Sequence, residues 1–401
     1  MYISKTFTIF AQNLMNMTKE NIKKEKKTIK TMEKNNETIE PTKVAFPRPK
    51  QIHQFLNENV IGQDKAKKTL SVAIYNHYKR VMSNMMGVCN GEEFEGINID
   101  KSNLLILGNS GTGKTYMIKQ IAKYLGLPCY IADATKLTES GYVGDDVESI
   151  LVGLLQESDY NVDVAQMGIV VLDEIDKIGR KGDNPSISRD VGGEGVQQGL
   201  LKIVEGGVIG VPPKGGRKHP EQPLVYIDTT NILFIGMGAF DGIENIINKR
   251  LNKKRIGFEQ PHHQGDKENN EDTLSNVLST DLKSFGIIPE LIGRFPILTY
   301  TNKLSVEDLV RIIKEPKQSI LKQYQKLLSL DNIKLKIDDE AIETIAQIAS
   351  SLKIGARGLR SIMEDVLNEV MYEYSDKMNE TIHITKEYVE KNLNKYKQKV
   401  A

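Results

Sequence analysis

The sequence of 401 residues has no tryptophan and only two cysteines, Cys89 and Cys129, far apart in the chain. They form neither a Cys-x-x-Cys metal pair nor a disulfide framework, and so fit a reducing compartment. An excess of charge is missing too. The 54 Lys and Arg stand against 53 Asp and Glu, so no global field draws the chain to nucleic acid or an anionic membrane. No run approaches the roughly 20 apolar residues that cross a bilayer as a helix. Arginine is absent before Arg48, which argues against a transit peptide, and the opening MYISKTFTIFAQNLMNM is too broken for a secretory signal. Residues 1–46, polar and Lys-rich behind that opening, read as a disordered, solvated tail. These absences fit a reducing interior, either the bacterial cytoplasm or an organelle matrix.

What the sequence does contain is a series of short apolar runs. NLLILG (103–108), PCYIAD (128–133), GIVVLDE (168–174), NILFIG (231–236) and PILTY (296–300) read as buried strands. Their nearly continuous Ile, Val and Leu suit a parallel sheet covered on both faces. Between them, Val147, Ile150, Leu151, Leu154 and Leu155 make one helical stripe, and Asp145 and Asp146 are expected at that helix's positive N-terminal end. The alternation predicts a doubly wound α/β domain with a five-stranded parallel sheet over residues 47–301. Residues 302–397 carry helical periodicity and predict a smaller, mainly helical domain, with KLKI and TIHIT as short strands. The connection falls near Thr301–Lys303. Two polar stretches, 179–199 and 252–273, read as long loops, which in a compact domain are usually functional or disordered.

The chemistry is carried by GNSGTGKT, Gly108 to Thr115, between an expected strand and an expected helix. Glycines there let backbone N–H groups turn inward around phosphate oxygens. Lys114 then reaches the β and γ phosphates, and the Thr115 hydroxyl ligates Mg²⁺. The strand GIVVLDE ends in Asp173 and Glu174. One carboxylate suits the Mg²⁺ shell and the next suits the attacking water. Acidic pairs are commonplace; behind an apolar strand and downstream of a phosphate loop, this one indicates ATP hydrolysis. Arg294 and Arg357 are candidates for the further positive charge that phosphoryl transfer needs. Surface ion pairing is the ordinary alternative for both.

Other motifs follow in order: VIGQDKAKK, GYVGDDVE, LDEIDKI, RDVGGEGVQQGLLKIVEG, GGRKHP, GAFDGIE, IPELIGRFP and IGARGLRS. Together with the phosphate loop, over residues 47–397, they resemble the ClpX family of the AAA+ superfamily. The resemblance implies an ATP-dependent protein unfoldase, a homohexameric ring with nucleotide between subunits, and delivery of protein substrates to the peptidase ClpP. It implies that Val60 and Ile61 line the adenine pocket. Gly108, Asn109, Ser110, Gly111, Thr112, Gly113, Lys114, Thr115 and Tyr116 would bind the rest of the nucleotide. Arg294 would reach a neighbour's γ-phosphate, and Arg357 would be the sensor arginine of the small domain. No residue at the end of the fourth strand stands out as a polar sensor.

The same resemblance gives Tyr142 and Val143, between Gly141 and Gly144, the task of gripping polypeptide in the axial channel. An aromatic offers apolar contact to any side chain without demanding sequence. Residues 189–199 would be a second pore loop. Arg217, Lys218 and His219 would stand at the channel entrance, where their charge attracts a substrate's terminal carboxylate. Ile256, Gly257 and Phe258 would dock on ClpP. Members of the family commonly begin with a four-cysteine zinc module. With no cysteine before Cys89, no zinc is expected here. Two rival functions share the ATP site: a free-standing remodelling chaperone without a peptidase, and a nucleic-acid motor. The Ile-Gly-Phe tripeptide argues against the first. Tyr142 and Val143 in place of channel-facing basic residues argue against the second.

Overall fold

Five apolar segments pair side by side: β1 (Leu104–Leu107), β2 (Cys129–Asp133), β3 (Ile169–Asp173), β4 (Leu233–Gly238) and β5 (Ile297–Tyr300). The computed structural model describes residues 46–86, 92–94, 96–138, 145–179, 193–213, 223–253, 270–352, 354–374 and 379–393. The strand order is β2-β3-β4-β1-β5, with every pair parallel. Leu104 lies beside Ile235 on one side and Ile297 on the other.

Because successive strand residues face opposite ways, each apolar run feeds two cores. Leu105, Leu107, Val170, Leu172 and Phe234 belong to one. Leu104, Ile106, Ile169, Val171 and Ile235 belong to the other. The helices α1 (Pro49–Asn59), α2 (Asp64–Met86) and α3 (Lys114–Leu125) cover the second face through residues such as Ile52, Leu70 and Ile118. The first face is covered by α4 (Ser149–Glu157), α5 (Glu194–Val204) and α6 (Ile243–Lys253), through residues such as Leu151, Leu200 and Ile247. No helix among the described residues is long and apolar enough to cross a membrane.

Beyond β5 the chain builds a core of its own from Leu309, Ile313, Ile345, Leu359, Ile362 and Leu367. Its helices are α7 (Val306–Lys314), α8 (Ile320–Ser329), α9 (Asp339–Ser351), α10 (Gly355–Glu373) and α11 (Lys386–Asn392). Ser305 starts α7 with a capping box: its hydroxyl accepts the Asp308 N–H at 3.1 Å, and the Asp308 carboxylate accepts the Ser305 N–H at 3.2 Å. The expected short strands, Lys334–Ile337 and Thr381–Ile384, form a parallel pair.

Three expectations need correction. Asp145 and Asp146 do not open α4. They form a two-residue strand beside Leu137–Thr138, and the helix begins at Ser149. What holds them there is pairing with Leu137 and Thr138, and Val147, 4% exposed, packs in the core just ahead of the helix. Residues 194–199 are not loop but the first turns of α5. There Val196 and Gln197 are fully buried, and Gln197 donates to Ile178 O at 2.8 Å and accepts from Ile288 N at 2.8 Å. Phe46, an expected tail residue, instead packs its ring 5.1 Å from that of Tyr78.

Three consecutive carbonyls before β4 are taken by basic side chains. Lys101 Nζ donates to Thr229 O at 2.8 Å, Arg80 Nη2 to Thr230 O at 2.9 Å and His77 Nε2 to Asn231 O at 3.1 Å. Burial, reinforced by Arg80 and Lys101, lowers the His77 pKa to about 3. The folded state therefore keeps His77 neutral while the unfolded chain protonates below the ordinary 6.5. Stability is lost as pH falls from 6.5 toward 3. At pH 5.0 this one group costs about 2 kcal/mol relative to pH 7.5. Urea melts at both pH values should show His77→Gln losing less stability than the unaltered chain. Equal losses would contradict the assignment.

Candidate nucleotide site

At the end of β1 the chain turns through residues 108–113 into α3, whose N-terminal amides face the turn. Two glycines are fixed here by close approach. Gly108 has φ +141°, and a Cβ on it would overlap the Thr301 hydroxyl. Gly111 has φ +79°, and a Cβ would come within 2.7 Å of Ile354 O. The Gly111 carbonyl accepts the Ala356 N–H at 3.1 Å, so the start of α10 rests on the phosphate loop backbone to backbone.

Lys114 is 8% exposed, and its ammonium donates to the carbonyls of Gly108 and of Asn109, the latter at 2.9 Å. Burial holds its pKa below the ordinary lysine value. Asp173 and Asp176 pull the other way, and Arg357 adds to the lowering. The Thr115 hydroxyl donates to Asp173 Oδ2 at 3.2 Å, and Asp173 Oδ1 accepts the Glu174 N–H at 3.0 Å. Glu174 ends the strand in a left-handed conformation, φ +57°, with its side chain exposed. Such conformations in residues with a Cβ collect at functional sites.

The end of β4 offers no polar side chain: the residues are Met237, Gly238 and Ala239. Asp176 fills that position. Its carboxylate, 6% exposed, accepts the N–H groups of Ala239 and Phe240 at 3.2 and 3.3 Å, and Lys177 lies 3.3 Å away. A Cβ on Gly238 would overlap it.

These groups line a cleft of about 500 Å³ between the sheet domain and the helical one. Val60 and Ile61 are at its wall, as are residues 110–116, Asp173, Glu174 and Arg357. The helical domain adds Leu304, Ile312, Ile320, Gln323 and Arg360, none of which stood out in the sequence. Leu304, Ile312 and Ile320 are single apolar residues that a sequence cannot tell from core positions, and Gln323 reads as an ordinary surface residue. For Arg360 a signal existed: it lies three residues after Arg357 on α10, hence on the same face. The site thus has apolar walls for a flat base and a hydroxyl- and charge-rich end for phosphates.

Arg294 is not part of this cleft. It is half exposed, and its guanidinium holds Glu205 at 2.6 Å. Tyr142, Val143, Arg217, Lys218, His219, Ile256, Gly257 and Phe258 lie outside the described residues, as does the tail 1–45.

The cleft can be compared with known proteins. Residues 99–298 match the family described as AAA domain (Cdc48 subfamily), and residues 304–384 match the C-terminal, D2-small domain of ClpB protein. The chain is similar to the ATP-dependent Clp protease ATP-binding subunit ClpX of Bacteroides thetaiotaomicron, 51% identical over 352 residues, covering 87% of this chain and 83% of that protein. The ClpX of Bacteroides fragilis is 50% identical over 350 residues, 87% of this chain and 82% of that protein. The ClpX of Porphyromonas gingivalis is 49% identical over 364 residues, 90% of this chain and 86% of that protein. With half the residues identical over 87% of the chain, and a phosphate loop, an acidic strand end and an apolar wall meeting in one cleft, the chain belongs to the ClpX family of AAA+ ATPases.

Proposed function

We propose that the chain is an ATP-driven protein unfoldase and translocase that works as a homohexameric ring in the bacterial cytoplasm and delivers clients to ClpP. The observation that carries this reading is the cleft itself, because one ligand there would touch both domains. Loss of the γ-phosphate then changes how the domains sit, which is a source of movement.

In this reading the adenine lies against Val60 and Ile61, and the backbone amides of the phosphate loop hold the phosphates. Lys114 exchanges the carbonyls of Gly108 and Asn109 for the β and γ phosphate oxygens. Thr115 and Asp173 offer hard oxygens 3.2 Å apart, a donor set suited to Mg²⁺, which when bound neutralises phosphate charge. Glu174 takes the proton of the water that attacks the γ-phosphorus; the bond to the bridging oxygen breaks and ADP is the leaving group. Arg357 adds positive charge from the small domain. Arg294, outside its own cleft, serves the nucleotide of the adjacent subunit after parting from Glu205.

Movement is passed to polypeptide by Tyr142 and Val143, while Arg217, Lys218 and His219 attract the client's terminus. Burying an aromatic ring yields about 25 cal/mol per Å², a hold weak enough to release and repeat. Ile256, Gly257 and Phe258 attach the ring to ClpP.

The test is ATP-dependent degradation of a stably folded client with ClpP. Tyr142→Ala should slow it at least tenfold while ATPase activity persists. Phe258→Ala should abolish degradation but leave unfolding intact. Threading by Tyr142→Ala at an undiminished pace would overturn the grip. ClpP stimulation that survives Phe258→Ala would overturn the docking, and no stimulation by ClpP at all would favour a free-standing chaperone. ATPase activity raised by single-stranded DNA and not by unfolded protein would favour a nucleic-acid motor.

A further inference from the structure

Gln63 directly follows the cleft-lining pair Val60–Ile61 and the turn residue Gly62, and none of the chemistry above uses it. It is 7% exposed and held at φ +61°, a conformation that residues with a Cβ rarely adopt. Its side-chain amide makes two hydrogen bonds to one distant residue. Nε2 donates to Asn302 O at 2.8 Å, and Oε1 accepts the Asn302 N–H at 2.8 Å. A side chain here supplies the pair of bonds that a neighbouring strand would otherwise give.

Asn302 lies in the connection between the domains, and the residue before it is held just as firmly from the phosphate side. Thr301 N donates to Leu107 O at 2.8 Å. The hydroxyls of Thr301 and Thr112 are 2.7 Å apart and both buried, and Thr112 Oγ1 donates to Asn109 O at 2.9 Å. Thr301 is therefore fastened to the phosphate loop and Asn302 to the turn that lines the base wall. The capping residue of α7 is Ser305. Only Lys303 and Leu304 remain to act as a pivot, and Leu304 itself lines the cleft.

We infer that Gln63 is a positioning residue that ties the base wall of the nucleotide cleft to the interdomain connection, confining the pivot to Lys303–Leu304. A base seated on Val60 and Ile61 steadies the turn, and Gln63 carries that constraint to Asn302. Without the amide, Asn302 joins the pivot, and nucleotide binds without setting the angle between domains. The inference rests on the cleft being the ATP site.

Inter-label distance provides the test. Cysteines placed at the exposed positions Asp163 and Leu330, in a chain carrying Cys89→Ser and Cys129→Ala and diluted into a large excess of unlabelled chains of the same background so that each ring holds at most one labelled subunit, report the domain angle by electron-electron resonance with ADP or a slowly hydrolysed ATP analogue. The unaltered connection should give one distance that shifts between the two nucleotides. Gln63→Ala should bind both within about threefold of normal, yet broaden the distribution and lose the shift. Gln63→Glu keeps the acceptor and sets a carboxylate against the Asn302 carbonyl; it should retain less than half of the shift, and decides the matter if Gln63→Ala does not fold. Asn302→Ala, which leaves both backbone groups in place, should behave normally. ATP consumed per folded client unfolded should rise at least fivefold in Gln63→Ala. A normal shift in Gln63→Ala or Gln63→Glu, or no shift in the unaltered chain, overturns the inference. Failure of the unaltered chain to bind either nucleotide overturns the cleft reading instead.

Discussion

Glu174→Gln should bind ATP as tightly as the unaltered chain and hydrolyse it about 10²–10⁴-fold more slowly, the usual span for loss of a general base. The amide keeps the size and position of the carboxylate, and the side chain is exposed, so no packing is lost. What disappears is a group able to take the proton from water. Asp173 cannot substitute, because its two oxygens already face the Thr115 hydroxyl and the Glu174 N–H. Phosphate release under saturating ATP, beside calorimetric titration of ATP, separates turnover from binding. Turnover within tenfold of normal would remove Glu174 from the catalytic role.

Lys114→Met should have opposite effects on the free and the bound protein. Burial is the largest influence on the Lys114 pKa and lowers it. A lysine whose folded pKa is depressed destabilises the fold fully below that folded value, and the penalty fades as pH rises toward 10.5. An apolar side chain of similar length removes the penalty, at the loss of hydrogen bonds to two loop carbonyls. The melting temperature without nucleotide should therefore hold or rise at pH 7. ATP binding, in contrast, loses a desolvated charge pair worth about 3 kcal/mol or more, roughly a hundredfold or greater in affinity. Thermal shifts with and without ATP measure both effects. A melting temperature that falls steeply without nucleotide would mean that the ammonium stabilises the empty loop, and an ATP shift as large as normal would mean that it does not bind phosphate.

Much of the fold was legible because its signals are local. Five strands were found where the apolar runs predict them, since a parallel strand buried on both faces needs continuous Ile, Val and Leu, and little else in a globular chain does. The phosphate loop and the Asp173–Glu174 pair were legible for a related reason: each packs its function into a few adjacent residues. Asp145 and Asp146 were misplaced because helix-start chemistry and strand pairing compete over a stretch too short for either to dominate, and the pairing with Leu137–Thr138 exists only in the folded chain. The turns at 194–199 were hidden by their glycines. They are held against the domain by Gln197, whose buried amide satisfies backbone groups of two distant segments.

The sequence alone therefore determined the sheet, the order of its strands along the chain, the phosphate end of the cleft and the family. Each depends on residues close together in the chain. Tertiary structure alone decided the apolar wall formed by Leu304, Ile312 and Ile320, the seating of the Asp176 carboxylate at the end of β4, the placing of Arg294 outside its own cleft, and the Gln63–Asn302 clamp. Their partners lie tens to hundreds of positions away, and a hydrogen bond or a packed wall between such residues leaves no period or motif in the chain that makes it.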